Sequence, residues 1–408
     1  MITYIQALQI IKDTASTMRP ETERIALADA VGRVCAEDVA AGLDIQPFDN
    51  SAMDGFAVRL VEFPATVAPV RLKKVGVMGA GRVCEGAVLE DGCCWHVMTG
   101  APLPAGTEAI VPIENTALDG DFVIFGEKPV AGQHIRYAGE DFKNGTRVLS
   151  AGDKVSAGHI LPLATLGIAD ITVYKKPRVL FIPTGDEIVD DLRKDLRNGE
   201  IYNANKFYAF SFLTACDVDV TIHDTVRDDP EQFVAALHVA ESEKYDIIVS
   251  SGAVSAGSFD FVREGLEKAG ARILYHKIKL KPGKPNLFAE LSSGALYFGL
   301  PGNPVATAVG LRFFVSEALR VSRKQKPELP VYARVMNAFS KKPDLHMVLK
   351  GKLEYWEDGS ITVDILDGQE SFRVSPFLSM DCWIYVPEDR DAIKSGEIVE
   401  VYPLLPGE

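Results

Sequence analysis

From Pro177 onward the chain alternates short apolar runs with amphipathic ones, and this alternation restricts the fold more than any other feature of the sequence. Arg178-Val-Leu-Phe-Ile-Pro reads as a buried strand, Asn205 to Ala215 as a helix, Val218-Asp-Val-Thr-Ile-His as a strand and Glu231 to Glu243 as a helix. The pattern continues with a strand at Asp246-Ile-Ile-Val-Ser, a helix from Phe259 to Ala269, strands at Arg272-Ile-Leu-Tyr and Ala295-Leu-Tyr-Phe-Gly, and a helix from Val305 to Leu319. Parallel strands need a long crossover, usually a helix, so the alternation predicts a mostly parallel sheet covered on both faces.

The flanking regions differ in character. Residues 4 to 18 carry Ile5, Leu8, Ile11 and Ala15 at helical spacing, which predicts a short amphipathic helix. Between about 45 and 138, runs such as Val67-Ala-Pro-Val-Arg-Leu and Phe122-Val-Ile-Phe are broken by Gly, Pro and Asp-Gly, the pattern of a small inserted β domain. Arg323-Lys-Gln-Lys-Pro-Glu-Leu-Pro reads as a linker, and the strand-like runs from Val331 to Leu405, joined by turns such as Glu357-Asp-Gly-Ser, predict a β-barrel or sandwich. A chain of 408 residues is long enough for several such units, each with its own core.

Charge and cysteine usage narrow the partners. With 43 basic against 57 acidic side chains, the net charge of −14 opposes the phosphate neutralisation on which nucleic-acid affinity depends. The N-terminus lacks a basic segment followed by a long apolar one, and no stretch of 18 uninterrupted apolar residues follows, so neither secretion nor membrane spanning is expected. Cys35, Cys84, Cys93, Cys94, Cys216 and Cys382 form no C-x-x-C pair and read as reduced thiols of a cytoplasmic protein. None of the seven histidines stands in a zinc-binding pair such as H-E-x-x-H.

In open α/β sheets ligands bind outside the carboxyl ends of the strands, which directs attention to four turns. They are Pro183-Thr-Gly-Asp-Glu187, Ser250-Ser-Gly-Ala-Val-Ser-Ala-Gly-Ser-Phe-Asp260, Lys281-Pro-Gly-Lys-Pro285 and Leu300-Pro-Gly-Asn-Pro304. The second runs into a helix and could cradle a phosphate with backbone N–H groups and hydroxyls, although Gly and Ser are equally ordinary turn residues and no Walker A pattern is present. Asp186, Glu187, Asp228, Asp229 and Asp260 end neighbouring strands and together suit a hard cation such as Mg²⁺; singly, each is better explained as a helix cap or surface charge. Lys281 and Lys284 either present ammonium groups to an oxyanion from a proline-stiffened turn or, with Lys277 and Lys279, form the solvated side of an edge strand. Asn50-Ser-Ala-Met-Asp54-Gly and Arg136-Tyr-Ala-Gly-Glu-Asp141 add polar turns in the earlier domains.

Taken in order, Asp49-Asn-Ser-Ala-Met-Asp-Gly-Phe-Ala57, Met98-Thr-Gly-Ala-Pro-Leu-Pro104, Gly139-Glu-Asp141, Thr184-Gly-Asp-Glu187, Asn203-Ala-Asn205, Ser250-Ser-Gly252, Lys281-Pro-Gly-Lys-Pro285 and Leu300-Pro-Gly-Asn-Pro304 resemble the molybdopterin molybdenumtransferase family, the bacterial MoeA type related to the C-terminal domain of gephyrin. The resemblance implies an N-terminal elongated helical part at 1–44 continued by 139–176, an inserted β domain at 45–138, a three-layer molybdopterin-binding α/β domain at 177–325 and a C-terminal β-barrel at 328–408. It implies insertion of molybdate into adenylylated molybdopterin with release of AMP, assisted by Mg²⁺, in a homodimer with transient contacts to the adenylyltransferase and to apo-molybdoenzymes. Asp54, Thr99 and Asp141 would then act in trans, with Asp186, Glu187 and Asp228 catalytic and Asp186, Glu187 and Asp260 at the metal. Ser250, Ser251, Gly252, Ser255, Lys279, Lys281, Lys284, Pro285, Pro301 and Ser375 would bind substrate, with Lys281, Lys284 and Ser375 lining the molybdate pocket. Against the usual pattern, Ala253 replaces a second Gly, Ser258 an acidic residue, Lys350 lies near an expected Arg, and Pro376 replaces a second Ser. Two rivals are an adenylyltransferase or nucleotide-pyrophosphate hydrolase on the same core, and a non-catalytic scaffold.

Overall fold

The computed structural model describes residues 1–64, 69–82, 85–253 and 261–407. Its central sheet has six strands in the order Asp219–Ile222, Arg178–Pro183, Ile247–Ser251, Leu296–Leu300, Leu287–Glu290, Arg272–His276. The first three pairings are parallel and the last two antiparallel. The strand Leu287–Glu290 was not anticipated. Its run is brief and follows two prolines, and the short Leu291-Ser-Ser-Gly-Ala295 connection can only close a hairpin, which makes this half of the sheet antiparallel.

Alternation along one strand explains the layers. Val179 and Phe181 join one buried cluster, Leu180 and Ile182 the other, so both faces of the sheet are covered. Helices Ala204–Ala215 and Pro304–Gly310 pack with the first cluster, and Pro230–Ser242 and Phe261–Lys268 with the second. Helix Pro304–Gly310 continues through a π-type turn, Leu311–Val315, into Ser316–Ser322.

The first helix, Tyr4–Ala15, starts on a capping box in which Gln6 N–H donates to Thr3 Oγ1 (3.1 Å) and Thr3 N–H to Gln6 Oε1 (2.9 Å). It buries Tyr4, Ala7, Ile11 and Ala15 against the first cluster of the central domain. Ile5, expected on the apolar face, is 60% exposed. Tyr4 takes that role because its ring stacks on His346 at 4.3 Å and meets Tyr385 edge-on.

The segments on either side of the inserted β region run back along each other. Thr22–Ala26 pairs with Asp170–Tyr174, Val39–Ala40 with Arg147–Leu149, and Asn50–Ser51 with Ile135–Arg136. Between them a six-stranded sheet runs in the order Ala109–Pro112, Gly55–Val58, Cys93–Val97, Val70–Met78, Phe122–Phe125, Thr116–Asp119. Val67 and Ala68, expected to open the long strand, lie outside the described residues.

In the C-terminal region His346–Tyr355, Ile361–Ile365, Val331–Val335, Ile398–Pro403 and Cys382–Val386 close into a five-stranded barrel, because His346–Tyr355 pairs with both Ile361–Ile365 and Cys382–Val386. The barrel alternative was therefore the right one. Its sheet also takes Leu280–Lys281 from the central domain as a parallel edge partner of His346–Met347. Cys35, Cys93, Cys94, Cys216 and Cys382 are free thiols, and Cys84 lies outside the described residues. Among the described residues no helix is long and apolar enough to cross a membrane.

Candidate active site

The carboxyl ends of the parallel strands bring three of the four turns together. Thr184 follows the strand Arg178–Pro183, and both its N–H and its hydroxyl donate to Ser251 O at 3.0 Å. Gly252 N–H donates to Leu300 O at 3.0 Å, which joins the Ser-Ser-Gly turn to the Pro-Gly-Asn-Pro turn. Gly252 sits at φ +105°, and a Cβ there would stand 2.5 Å from Thr184 Oγ1, so only glycine permits this approach. Asn205, at the start of helix Ala204–Ala215, donates from Nδ2 to Gly302 O at 2.8 Å and ties that helix to the same edge.

The acidic turn is exposed at Asp186, Glu187 and Asp228, and Asp228 N–H donates to Asp186 Oδ1 at 3.4 Å. Partial burial, then the charges of Asp186 and Glu187, push the Asp228 carboxyl above its ordinary pKa. This repulsion is what a bound cation would relieve. All the donors are hard oxygens, as Mg²⁺ requires, yet among the described residues no group of three His, Cys, Asp or Glu side chains is arranged around a metal position. Mg²⁺ commonly takes one or two carboxylates and fills the rest of its shell with water and substrate phosphate oxygens, so a pair such as Asp186 and Glu187 fits it. Asp260 and Ser255, together with Ser258, lie outside the described residues.

A polar network behind this turn escaped the sequence reading. Asp190 accepts from Asn203 Nδ2 and Thr225 Oγ1, both at 2.8 Å, and pairs with Lys206 at 3.4 Å. Asn203 in turn caps its helix by accepting from Lys206 N–H at 3.0 Å. The bonds from Thr225 and Asn203 hold the Asp190 carboxyl below its ordinary pKa against the opposing effect of burial. The Asn203-Ala-Asn205 motif is visible in the sequence; its partners Asp190, Thr225 and Gly302, in loops from other parts of the chain, are not.

Of the remaining expected substrate residues, Ser250 is fully buried with its hydroxyl against Tyr297 OH, Ser251 is buried, and Pro301 is buried with its carbonyl accepting from Thr307 Oγ1 at 2.6 Å. Lys281 and Lys284 are exposed, while Lys279 and Pro285 are half-buried. Lys279 donates its N–H to Ile2 O and accepts from His346 N–H, so its backbone joins the first residues of the chain to the barrel. Ser375 is exposed at the start of the short helical turn Ser375–Leu378.

A separate constellation forms in the earlier domains. Asp54 Oδ1 accepts from Thr99 N–H at 2.7 Å and from Thr99 Oγ1 at 2.8 Å, and those two bonds hold its carboxyl below the ordinary pKa. Asp141 is exposed, its N–H donating to Ile45 O at 2.8 Å. Within one chain no hydrogen bond or ion pair among the described residues links this pair to the Asp186 turn.

Lys350 departs from its expected place. Rather than standing as a substitute for an oxyanion-binding Arg, it is 1% exposed and donates from Nζ to the carbonyls of Gly368, Glu370 (3.3 Å) and Arg373 (3.0 Å). Burial pushes its pKa below the ordinary lysine value. All three ammonium donors are consumed inside the protein.

Convergent polar turns at the carboxyl edge of a half-parallel sheet, flanked by two β units, define the class: a multidomain α/β protein whose candidate site lies at the strand ends. Three family models match the chain in order, the MoeA N-terminal region (domain I and II) at residues 2–167, the probable molybdopterin binding domain at 180–321 and the MoeA C-terminal region (domain IV) at 332–404. Curated molybdopterin molybdenumtransferases are similar over nearly their whole length: one from Synechococcus elongatus at 32% identity, with 99% of this chain and 100% of that protein covered, and one from Haemophilus influenzae at 34%, with 94% of each covered. A solved molybdopterin biosynthesis moeA protein from Pyrococcus horikoshii superposes with a TM-score of 0.83 at 26% identity, covering 99% of both chains. The chain belongs to the molybdopterin molybdenumtransferase family.

Proposed function

We propose that this protein inserts molybdate into adenylylated molybdopterin and releases AMP, in the last step of molybdenum-cofactor assembly. The observation that carries this reading is the convergence of the Thr184, Ser251–Gly252 and Gly302 turns at one sheet edge, beside the acidic turn of Asp186, Glu187 and Asp228. Ser250, Ser251, Gly252, Lys279, Pro285 and Pro301 bind substrate and Lys281, Lys284 and Ser375 line the molybdate pocket; the same reading assigns Ser255 to substrate and Asp260 to the metal, both outside the described residues. Asp186 and Glu187 would hold Mg²⁺, which supplies charge neutralisation at the phosphoanhydride. The division at 1–44 with 139–176, 45–138, 177–325 and 328–408 follows the same reading. A cytoplasmic homodimer, meeting the adenylyltransferase and apo-molybdoenzymes only transiently, completes it.

The test is turnover. Adenylylated pterin, Mg²⁺ and molybdate should yield AMP and a cofactor able to reconstitute an apo-molybdoenzyme. AMP release no faster than in a protein-free control would favour a scaffold, and adenylylation of pterin from ATP without molybdate-dependent turnover would favour the adenylyltransferase.

A consequence for assembly follows from the separation of the Asp54–Thr99 pair from the Asp186 turn within one chain. If Asp54, Thr99 and Asp141 complete the site of a partner copy, the inactive variants Asp54→Ala and Asp186→Ala should complement each other when mixed. A heterodimer carries one site with both residues intact, so up to about a quarter of wild-type activity is expected after full exchange, given closed twofold symmetry. Demonstrated subunit exchange with no recovered AMP release would refute the shared site.

A further inference from the structure

Lys350 stands on the face of the barrel strand His346–Tyr355 that Val348 turns toward the central domain, opposite the barrel-core residues Met347 and Leu349, and the acceptors of its ammonium all belong to one loop. Its ammonium donates to three carbonyls of the 368–373 segment, and no carboxylate among the described residues lies within ion-pair distance of it. Its backbone is engaged as well: Lys350 N–H donates to Gln369 Oε1 and Lys350 O accepts from Gln369 Nε2, both at 2.9 Å, and from Leu366 N–H at 3.1 Å. A buried cation held only by backbone dipoles is costly to desolvate, and the geometry of three converging carbonyls is its compensation.

The same loop reaches the central domain. Ser371 Oγ accepts from Asn303 Nδ2 at 2.9 Å, and Ser371 O accepts from Val305 N–H at 3.2 Å. Val305 lies in the first turn of helix Pro304–Gly310, where backbone N–H groups have no partner inside the helix. The loop therefore caps the Pro-Gly-Asn-Pro turn from the other domain, and Ser375 lies two residues past Arg373, the last of its Lys350 contacts.

We propose that Lys350 is a positioning residue for the site: by fastening the 368–373 loop to the barrel wall that faces the central domain it sets, through Ser371, the placement of the turn at Gly302-Asn303 and of Ser375. The inference rests on the functional reading above, in which Pro301 and Ser375 meet substrate. It differs from an oxyanion role in one respect that chemistry can separate. A planar guanidinium cannot replace a tetrahedral ammonium within three carbonyls, whereas at an oxyanion site arginine is the better ligand.

The experiment compares Lys350→Met and Lys350→Arg in the full-length protein. Amide hydrogen exchange without substrate reports the link, and molybdate titration of AMP release reports its use. In both variants the Val305 amide should lose protection by about tenfold or more while the central strands keep theirs. Half-saturation by molybdate should rise about tenfold with kcat changed by less than about twofold, the split expected when a binding surface is displaced. Full rescue by arginine, or lost protection with unchanged half-saturation, would overturn the proposal. Should both variants fail to fold, Asn303→Ala cuts the same link from an exposed side chain, and unchanged Val305 exchange together with unchanged half-saturation there would also overturn it. Wild-type protein without molybdate-dependent AMP release defeats the functional reading instead, and that is seen before any variant is made.

Discussion

Lys284→Ala should fold normally and yet need more than about tenfold higher molybdate for half-maximal insertion, because about 1.4 kcal/mol corresponds to a factor of ten. A tetrahedral dianion in a partly desolvated pocket depends on charge-assisted hydrogen bonds, each contributing roughly 1.5–3 kcal/mol. An exposed lysine that does nothing of the kind changes stability by no more than about 0.5 kcal/mol on truncation. The structure leaves the Lys284 side chain exposed and without an ion pair to another described residue, while its carbonyl accepts from Ile278 N–H at 3.0 Å, a bond that alanine keeps. Lys281 is equally exposed, on the two-residue strand that joins the barrel sheet. Molybdate titration of Lys281→Ala and Lys284→Ala, with thermal melts alongside, separates the two accounts of these lysines. Binding of adenylylated pterin should change less. Unchanged half-saturation in both variants would return the Lys-Pro-Gly-Lys-Pro turn to the role of a charged sheet edge.

Gly252→Ala should be the most damaging small substitution in the central domain. Its Cβ would meet not only Thr184 Oγ1 but the Thr184 carbonyl oxygen at 2.7 Å, at a backbone φ of +105° that L-residues avoid. Thr184 cannot step aside freely, since its N–H and hydroxyl are both committed to Ser251 O and the residue bridges Val226. Movement would carry the Asp186–Glu187 turn with it. Backbone strain of about 1–3 kcal/mol plus the clash predicts a loss of roughly 2–4 kcal/mol, which for a domain of this size lowers Tm by about 5–12 °C. AMP release should fall by about a hundredfold or more. Gly359→Ala is the matched control: φ is +82° there, but nothing lies within 4 Å of the added carbon, so only the conformational term of about 1 kcal/mol remains. Equal effects of the two substitutions on Tm and turnover would show that the Thr184–Gly252 approach is not tight in solution.

What the chain's residues determine without further help is local. The apolar periods place the strands at Arg178–Pro183, Ile247–Ser251 and Leu296–Leu300 and the helices between them within a residue or two, because burial on both faces of a sheet demands such runs. The turn residues mark the three strand ends that converge, since glycine and proline are dictated by backbone geometry whatever lies nearby. The eight ordered motifs likewise identify the family, although they leave each side chain's partner open.

Only the tertiary structure decided those partners. Leu287–Glu290 became a strand because a hairpin, not a helix, was the sole way back into the sheet. Ile5 gave way to Tyr4 on the buried face because His346 and Tyr385, from a barrel more than three hundred residues later, offer a ring stack there. Asn205 finds Gly302, Asp190 finds Thr225, and Lys350 gives its ammonium to the carbonyls of the 368–373 loop rather than to an anion. A hydrogen bond is short and directional, so its partner depends on how separate elements dock to within a fraction of an ångström, and no periodicity along the chain encodes that.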